Sequence, residues 1–159
     1  MKKAFTMIEL IFVIVILGIL SSVAISKMSV TRDDAQIAKG RSQISAIRNA
    51  ITLMRNTNML QGKGASYPAF LDDDHDTHDG LLFDGNDTIG KLLDYPIYDK
   101  ASTGEDINGN WEKDEENQYH YTIMNTNVRF MYTPTNGHFD CDHGSGDATE
   151  KKLCKSLTE

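Results

Sequence analysis

The chain has 159 residues and a formal charge of −7 at pH 7, from 23 acidic and 16 basic side chains. About 60 residues read as one N-terminal helical stretch, so roughly 100 remain for a head, which is enough for one modest core and excludes a second domain. Residues 27–55 carry six Lys or Arg against two Asp, and residues 62–159 carry eight against twenty Asp or Glu; this argues against nucleic acid as a partner of the acidic part and favours cations there.

Residues 1–4, Met1-Lys2-Lys3-Ala4, form a short basic leader, and residues 5–25 follow as a predominantly apolar run in which Glu9 is the one charged residue. As a helix this run is about 31 Å long, enough to cross the hydrocarbon core of a bilayer. An ionisable group inside such a span costs roughly a few kcal/mol unless it is paired, so by default it marks function. A cut between Ala4 and Phe5 would give Phe5 a new α-amino group four residues before Glu9. Glu9 of one subunit would then meet the Phe5 amine of another at a similar membrane depth. A secretory signal ending near Ala24-Ile25-Ser26 and a plain single-pass anchor both fit the basic leader and the apolar run, and both leave Glu9 without a role.

Ala4, Phe5, Thr6, Glu9 and the apolar run behind them resemble the class III signal and N-methylation motif of type IV pilins and type II secretion pseudopilins. In that motif a small residue precedes the cut, and Phe-Thr and then a Glu follow it. Ala4 departs from the more frequent Gly. The resemblance implies cleavage after Ala4 by a prepilin peptidase, N-methylation of Phe5, and assembly with further copies and other pilin-like subunits through an inner-membrane assembly platform. It also implies a single-pass inner-membrane protein with its C-terminal head in the periplasm.

Residues 26–61 continue as an amphipathic helix. Ile37, Ile44, Ile47, Ile51 and Met54 define one face, with Ala50 and Leu53 beside it, while Lys39, Arg41, Arg48 and Arg55 fall elsewhere on the surface. No proline interrupts residues 5–66, so span and amphipathic stretch read as one helix with Gly18 and Gly40 as weak points, ending at Gly62 or Gly64. The missing proline near Ser26 and Lys27, and Tyr67-Pro68 just after the helix, resemble pseudopilins more than long pilins.

The head comprises residues 62–159. The runs Asp72 to Asp79 and Asp84 to Asp87 read as exposed loops too polar for a core. His75 and His78 in the first run could bind a metal, but a solvated loop accounts for them equally. Leu81, Leu82, Phe83, Ile89, Leu92 and Leu93 read as apolar anchors, with a short helix over a sheet edge. Asp106, Asn108 and Asn110 alternate as oxygen donors in the manner of a calcium loop, although Gly109 and Trp111 stand where an EF-hand would not have them. An Asn-Gly turn explains the same residues without an ion. Since pseudopilins as a family hold calcium in loops of the C-terminal sheet, the resemblance implies calcium as a possible cofactor, with Asp140 and Asp142 as a second candidate set.

Strand signals fill the last third. Tyr119, Tyr121 and Ile123 alternate with His120 and Thr122; Val128, Phe130 and Tyr132 alternate with Arg129 and Met131; and Asn136-Gly137 turns into His138 to Cys141. This predicts a three-strand antiparallel meander whose aromatic face covers the isoleucines of the helix. The overall expectation is an α+β, pilin-like fold with a long helix packed on a small sheet. Cys141 and Cys154 enclose twelve residues; a disulfide between them would contribute about 2–3 kcal/mol in an oxidising compartment. The alternative, a metal site from Asp140, Cys141, Asp142 and His143, lacks the tightly spaced Cys or His pairs that such sites use. No Gly-rich phosphate loop, GxSxG or HExxH is present, so an enzyme is not expected. The reading is a type II secretion pseudopilin. The alternatives are a type IV or DNA-uptake minor pilin and, in another class, a membrane-anchored calcium-binding module that does not polymerise.

Overall fold

The computed structural model describes residues 6–72, 80–85, 90–99, 108–144 and 146–159, with the side chains of residues 25–30 left aside. One helix, α1, runs Met7–Leu60 over 54 residues, the continuity expected from the lack of proline. The chain divides into two compact units, Met1–Ala35 and Gln36–Glu159.

In the first unit the stretch Met7–Ala24 is 18 residues long and wholly unburied, long and apolar enough to cross a membrane. In the second unit α1 buries Ile44, Ile47, Ile51 and Met54, with Ile37 and Ala50 packed against them. These positions recur at three- and four-residue steps, which places them on one helical face. The helix ends at Leu60, just before Gly62, the nearer of the two glycines expected to stop it. Gly62 N–H bonds to Met59 O at 3.1 Å and Lys63 N–H to Asn58 O at 2.9 Å, with Gly62 at φ 72°. This is a Schellman closure in which Gly62 supplies the left-handed residue at no cost from β-carbon sterics.

The sheet has four strands where three were expected: β3 Asn110–Glu115, β4 Gln118–Ile123, β5 Thr126–Thr133 and β6 His138–Cys141. They pair antiparallel in the order β3-β4-β5-β6. Met124 and Asn125 link β4 to β5 at φ 50° and 57°, two consecutive left-handed residues that suit the twist of a hairpin. The added strand begins at Asn110, so Asn110, Trp111 and Glu112 are strand residues and not loop. Trp111 faces Tyr121 in register and is fully buried, which gives the segment its reason to extend. Two short strands, β1 Leu81–Leu82 and β2 Ile97–Tyr98, form a separate pair. They replace the short helix expected there, because Gly80 and Phe83 take positive φ on either side of β1.

The core joins the α1 isoleucines to Phe83, Trp111, Tyr119, Tyr121, Phe130 and Phe139. Trp111 and Phe130 meet edge to face at 5.0 Å, and Phe130 stacks on Phe139 at 5.4 Å, the geometries that aromatic quadrupoles favour. A second helix, α2 Ala148–Thr158, was not anticipated. Asp147 caps it by accepting from Thr149 N and Glu150 N at 2.7 and 2.8 Å. It buries Leu153, Cys154 and Leu157. The ensemble is the α+β, pilin-like architecture expected of the sequence.

Candidate functional site

The N-terminal segment is built on α1. Ala4 and Phe5, the residues of the expected cut, lie outside the described residues. Glu9 lies in the first turn of the helix. Its N–H donates to Thr6 O at 3.1 Å and reaches Thr6 Oγ1 at 3.4 Å. Thr6-x-x-Glu9 is thus the spacing of a capping box, a signal present in the sequence but not used in reading it. A carboxylate in the first turn also faces the positive end of the helix dipole.

In the second unit the basic side chains of α1 stay at the surface, as expected, with Lys39 and Arg41 exposed and Arg48 and Arg55 half-buried, and their polar ends also reach the head. Lys39 Nζ donates to Gly109 O, and Arg41 Nε to Ser156 O. Arg48 donates from Nε to Phe139 O and from Nη2 to Asp140 Oδ1, both at 2.9 Å. Arg55 Nε donates to Ala65 O at 3.0 Å, and its guanidinium lies 4.8 Å from the centre of the Tyr67 ring. Four cations are therefore bound to backbone carbonyls of the head, and the positive charge of this helical stretch is a structural device. Tyrosines return the contact: Tyr121 Oη donates to Gln36 O and Tyr132 Oη to Pro68 O. Burial pushes the Tyr121 hydroxyl up to about 12 and raises Tyr132 as well.

Asp72 departs from the exposed-loop expectation, being 3% exposed. It accepts from Lys113 Nζ and from Tyr119 Oη, each at 2.8 Å. Two donors offset the cost of burying this carboxylate. Tyr119 is pushed far above the ordinary tyrosine range by burial first and by the Asp72 charge second. His120, also buried, has its ring nitrogens 2.9 Å from Asp114 Oδ1 and 3.1 Å from Glu112 Oε2. Both faces of β4 are therefore occupied.

Of the calcium candidates, Asp106 lies outside the described residues, as do His75 and His78 of the other acidic run. Asn108 is committed to Asn125 through both halves of its amide, at 2.8 and 2.7 Å. Asn110 Oδ1 faces the Lys39 ammonium at 3.5 Å. The described members of this set thus already have protein partners. In the second set Asp140 Oδ1 holds Arg48, and Asp142 Oδ1 accepts from Gly144 N at 2.7 Å.

Cys141 and Cys154 are joined in a disulfide with Cα atoms 5.8 Å apart. It links β6 to α2, as the pairing read from the sequence requires. Beside it, His143 Nδ1 lies 3.3 Å from Cys154 Sγ. An open groove of about 540 Å³ is lined by Lys39, Gln43, Ala46, Leu93, Tyr95 and Ile97 among others. Lys39 already serves Gly109, and the rest of this wall is largely apolar.

Residues 1–25 match the Prokaryotic N-terminal methylation motif, the prepilin-type signal of type IV pilin-like proteins. That motif implies processing by a prepilin peptidase and assembly among pilin-like subunits. Together with the apolar helix it fits anchoring in a membrane. No curated protein and no solved structure matches the chain.

Proposed function

We propose that this chain, which carries the prepilin-type signal, is a structural pseudopilin subunit of a type II secretion system. The observation that carries the reading is the methylation motif at residues 1–25 continuing into an unburied apolar helix with Glu9 in its first turn. Cleavage after Ala4 frees the Phe5 amine, which is then methylated. The Phe5 amine of one subunit pairs with Glu9 of the next, and each subunit leaves the inner membrane as neighbouring helices rebury its apolar surface. The head stays on the periplasmic side and the fibre grows from the assembly platform. Uninterrupted α1 and the Tyr67-Pro68 sequence that follows it favour a pseudopilin over a type IV or DNA-uptake minor pilin.

Mass spectrometry of the mature N-terminus is expected to find methylated Phe5; a chain beginning at Lys27, or still at Met1, removes the reading. Glu9→Ala is expected to insert normally and to impair fibre assembly severely, measured by shearing and cross-linking, and normal assembly would overturn the charge pair. In a deletion strain, lost protein export with intact DNA uptake supports the secretion role, and the reverse outcome assigns the chain to a DNA-uptake pilus. A membrane-anchored calcium module predicts no fibre and a higher melting temperature in calcium than in chelator, since binding to the folded state must raise it.

A further inference from the structure

We propose that, before its disulfide forms, the chain binds one thiophilic divalent metal, zinc foremost, through Cys141, Cys154 and His143. The one nitrogen and two sulfurs lie within 4.8 Å of one another. Tetrahedral zinc holds thiolate at about 2.3 Å and imidazole at about 2.0–2.1 Å, which sets donors about 3.5 Å apart. His143 Nδ1 is already 3.3 Å from Cys154 Sγ. The Cα atoms of the two cysteines, 5.8 Å apart, leave room for the sulfurs to separate into two corners of a tetrahedron without moving the backbone of β6 or α2.

The surroundings suit the ion. Cys154 and Cys141 are buried at 0% and 5% exposure, while the His143 side chain is 53% exposed and opens the site to water. With Nδ1 on the metal, His143 Nε2 has Asp140 Oδ1 3.7 Å away, longer than a hydrogen bond, and a small turn of the ring would let this carboxylate orient the ligating imidazole. Asp140 Oδ1 itself is held by Arg48 Nη2 and by Cys141 N–H, both at 2.9 Å, so water completes the fourth position. Two thiolates and a neutral imidazole balance a divalent charge.

Binding requires no electron transfer. The two thiols release their protons to solvent as the metal takes the thiolates, and later oxidation to the disulfide passes two electrons to an external oxidant and expels the metal. No CxxC or HxxxH occurs in the chain. The ligands are instead brought together by the β6–α2 connection. The metal would hold α2 against β6 while the thiols are still free, and would shield them from wrong partners.

The full chain in detergent, reduced with a phosphine, is titrated with Co²⁺ alone and then Zn²⁺ alone. A thiolate-to-cobalt charge-transfer band that saturates at one equivalent, is displaced by Zn²⁺ and is absent from the oxidised chain supports the site. His143→Ala keeps both cysteines and the disulfide and is expected to weaken cobalt binding by about tenfold or more. The reduced chain should also melt at a higher temperature with Zn²⁺ than without it. Absence of the band, wild-type affinity in His143→Ala, or equal melting with and without Zn²⁺ would each overturn the proposal.

Discussion

A Cβ on Gly40 would lie 2.7 Å from Leu157 Cδ2 and 2.8 Å from Tyr121 Cε1. Gly40 therefore serves as a notch, where sequence reading took it for a weak point of the helix. Leu157 can shift its side-chain tip, but Tyr121 is held by its bond to Gln36 O at 2.8 Å. An added side chain meets that fixed ring, and overpacking of this kind costs about 1–3 kcal/mol. Gly40→Val is accordingly expected to lower stability by about that amount in chemical denaturation, despite removing a flexible glycine from a helix. Retention of wild-type stability would show that Leu157 and Tyr121 can make room. Glu9 shows a similar economy near the start of α1: its main chain bonds to the cap residue Thr6, while its carboxylate is the group proposed to meet a neighbouring subunit.

The elements differ in how openly the sequence announces them. Helix α1 was legible because its isoleucines keep one period from Ile37 to Ile51 and no proline interrupts it. Strands β4, β5 and β6 were legible through the two-residue alternation of their aromatics. β3 was hidden, since Glu112, Lys113, Asp114 and Glu115 are charged and only Trp111 declares a buried face. Its pairing is supplied by β4, through Lys113 opposite Tyr119 and Glu112 opposite His120. α2 was hidden by its lysines, and only three of its eleven residues are buried. It is held by the Asp147 cap and by Cys154. Replacing Cys141 and Cys154 together with serine is therefore expected to cost about 2–4 kcal/mol. Hydrogen exchange should show α2 losing protection before the sheet does; uniform loss would mean that α2 is anchored by its leucines alone. The basic residues of α1 were visible as charges, but their acceptors are carbonyls, which no side-chain pattern reveals.

At the scale of the whole molecule, three buried tyrosines tie the sheet to its surroundings: Tyr119 to Asp72, Tyr121 to Gln36 O and Tyr132 to Pro68 O. All three have hydroxyls raised in the folded state, Tyr121 to about 12. An unfolded tyrosine ionises near pH 10, so above that pH the unfolded chain binds fewer protons than the folded one, and stability falls as pH rises. This contribution is fully present below about pH 10 and is lost towards pH 12 for Tyr121. The melting temperature should decline steeply over that window, and Tyr121→Phe should make the decline shallower. An unchanged slope would show that Tyr121 does not couple folding to pH. The four cations of α1 add a consequence of another kind. Lys39 and Arg55 stand sixteen residues apart, about 24 Å along the helix, with Arg41 and Arg48 between them. A tensile load along α1 would place their bonds to the head in shear, so that several must rupture together, where a single attachment at one end could be peeled away in sequence.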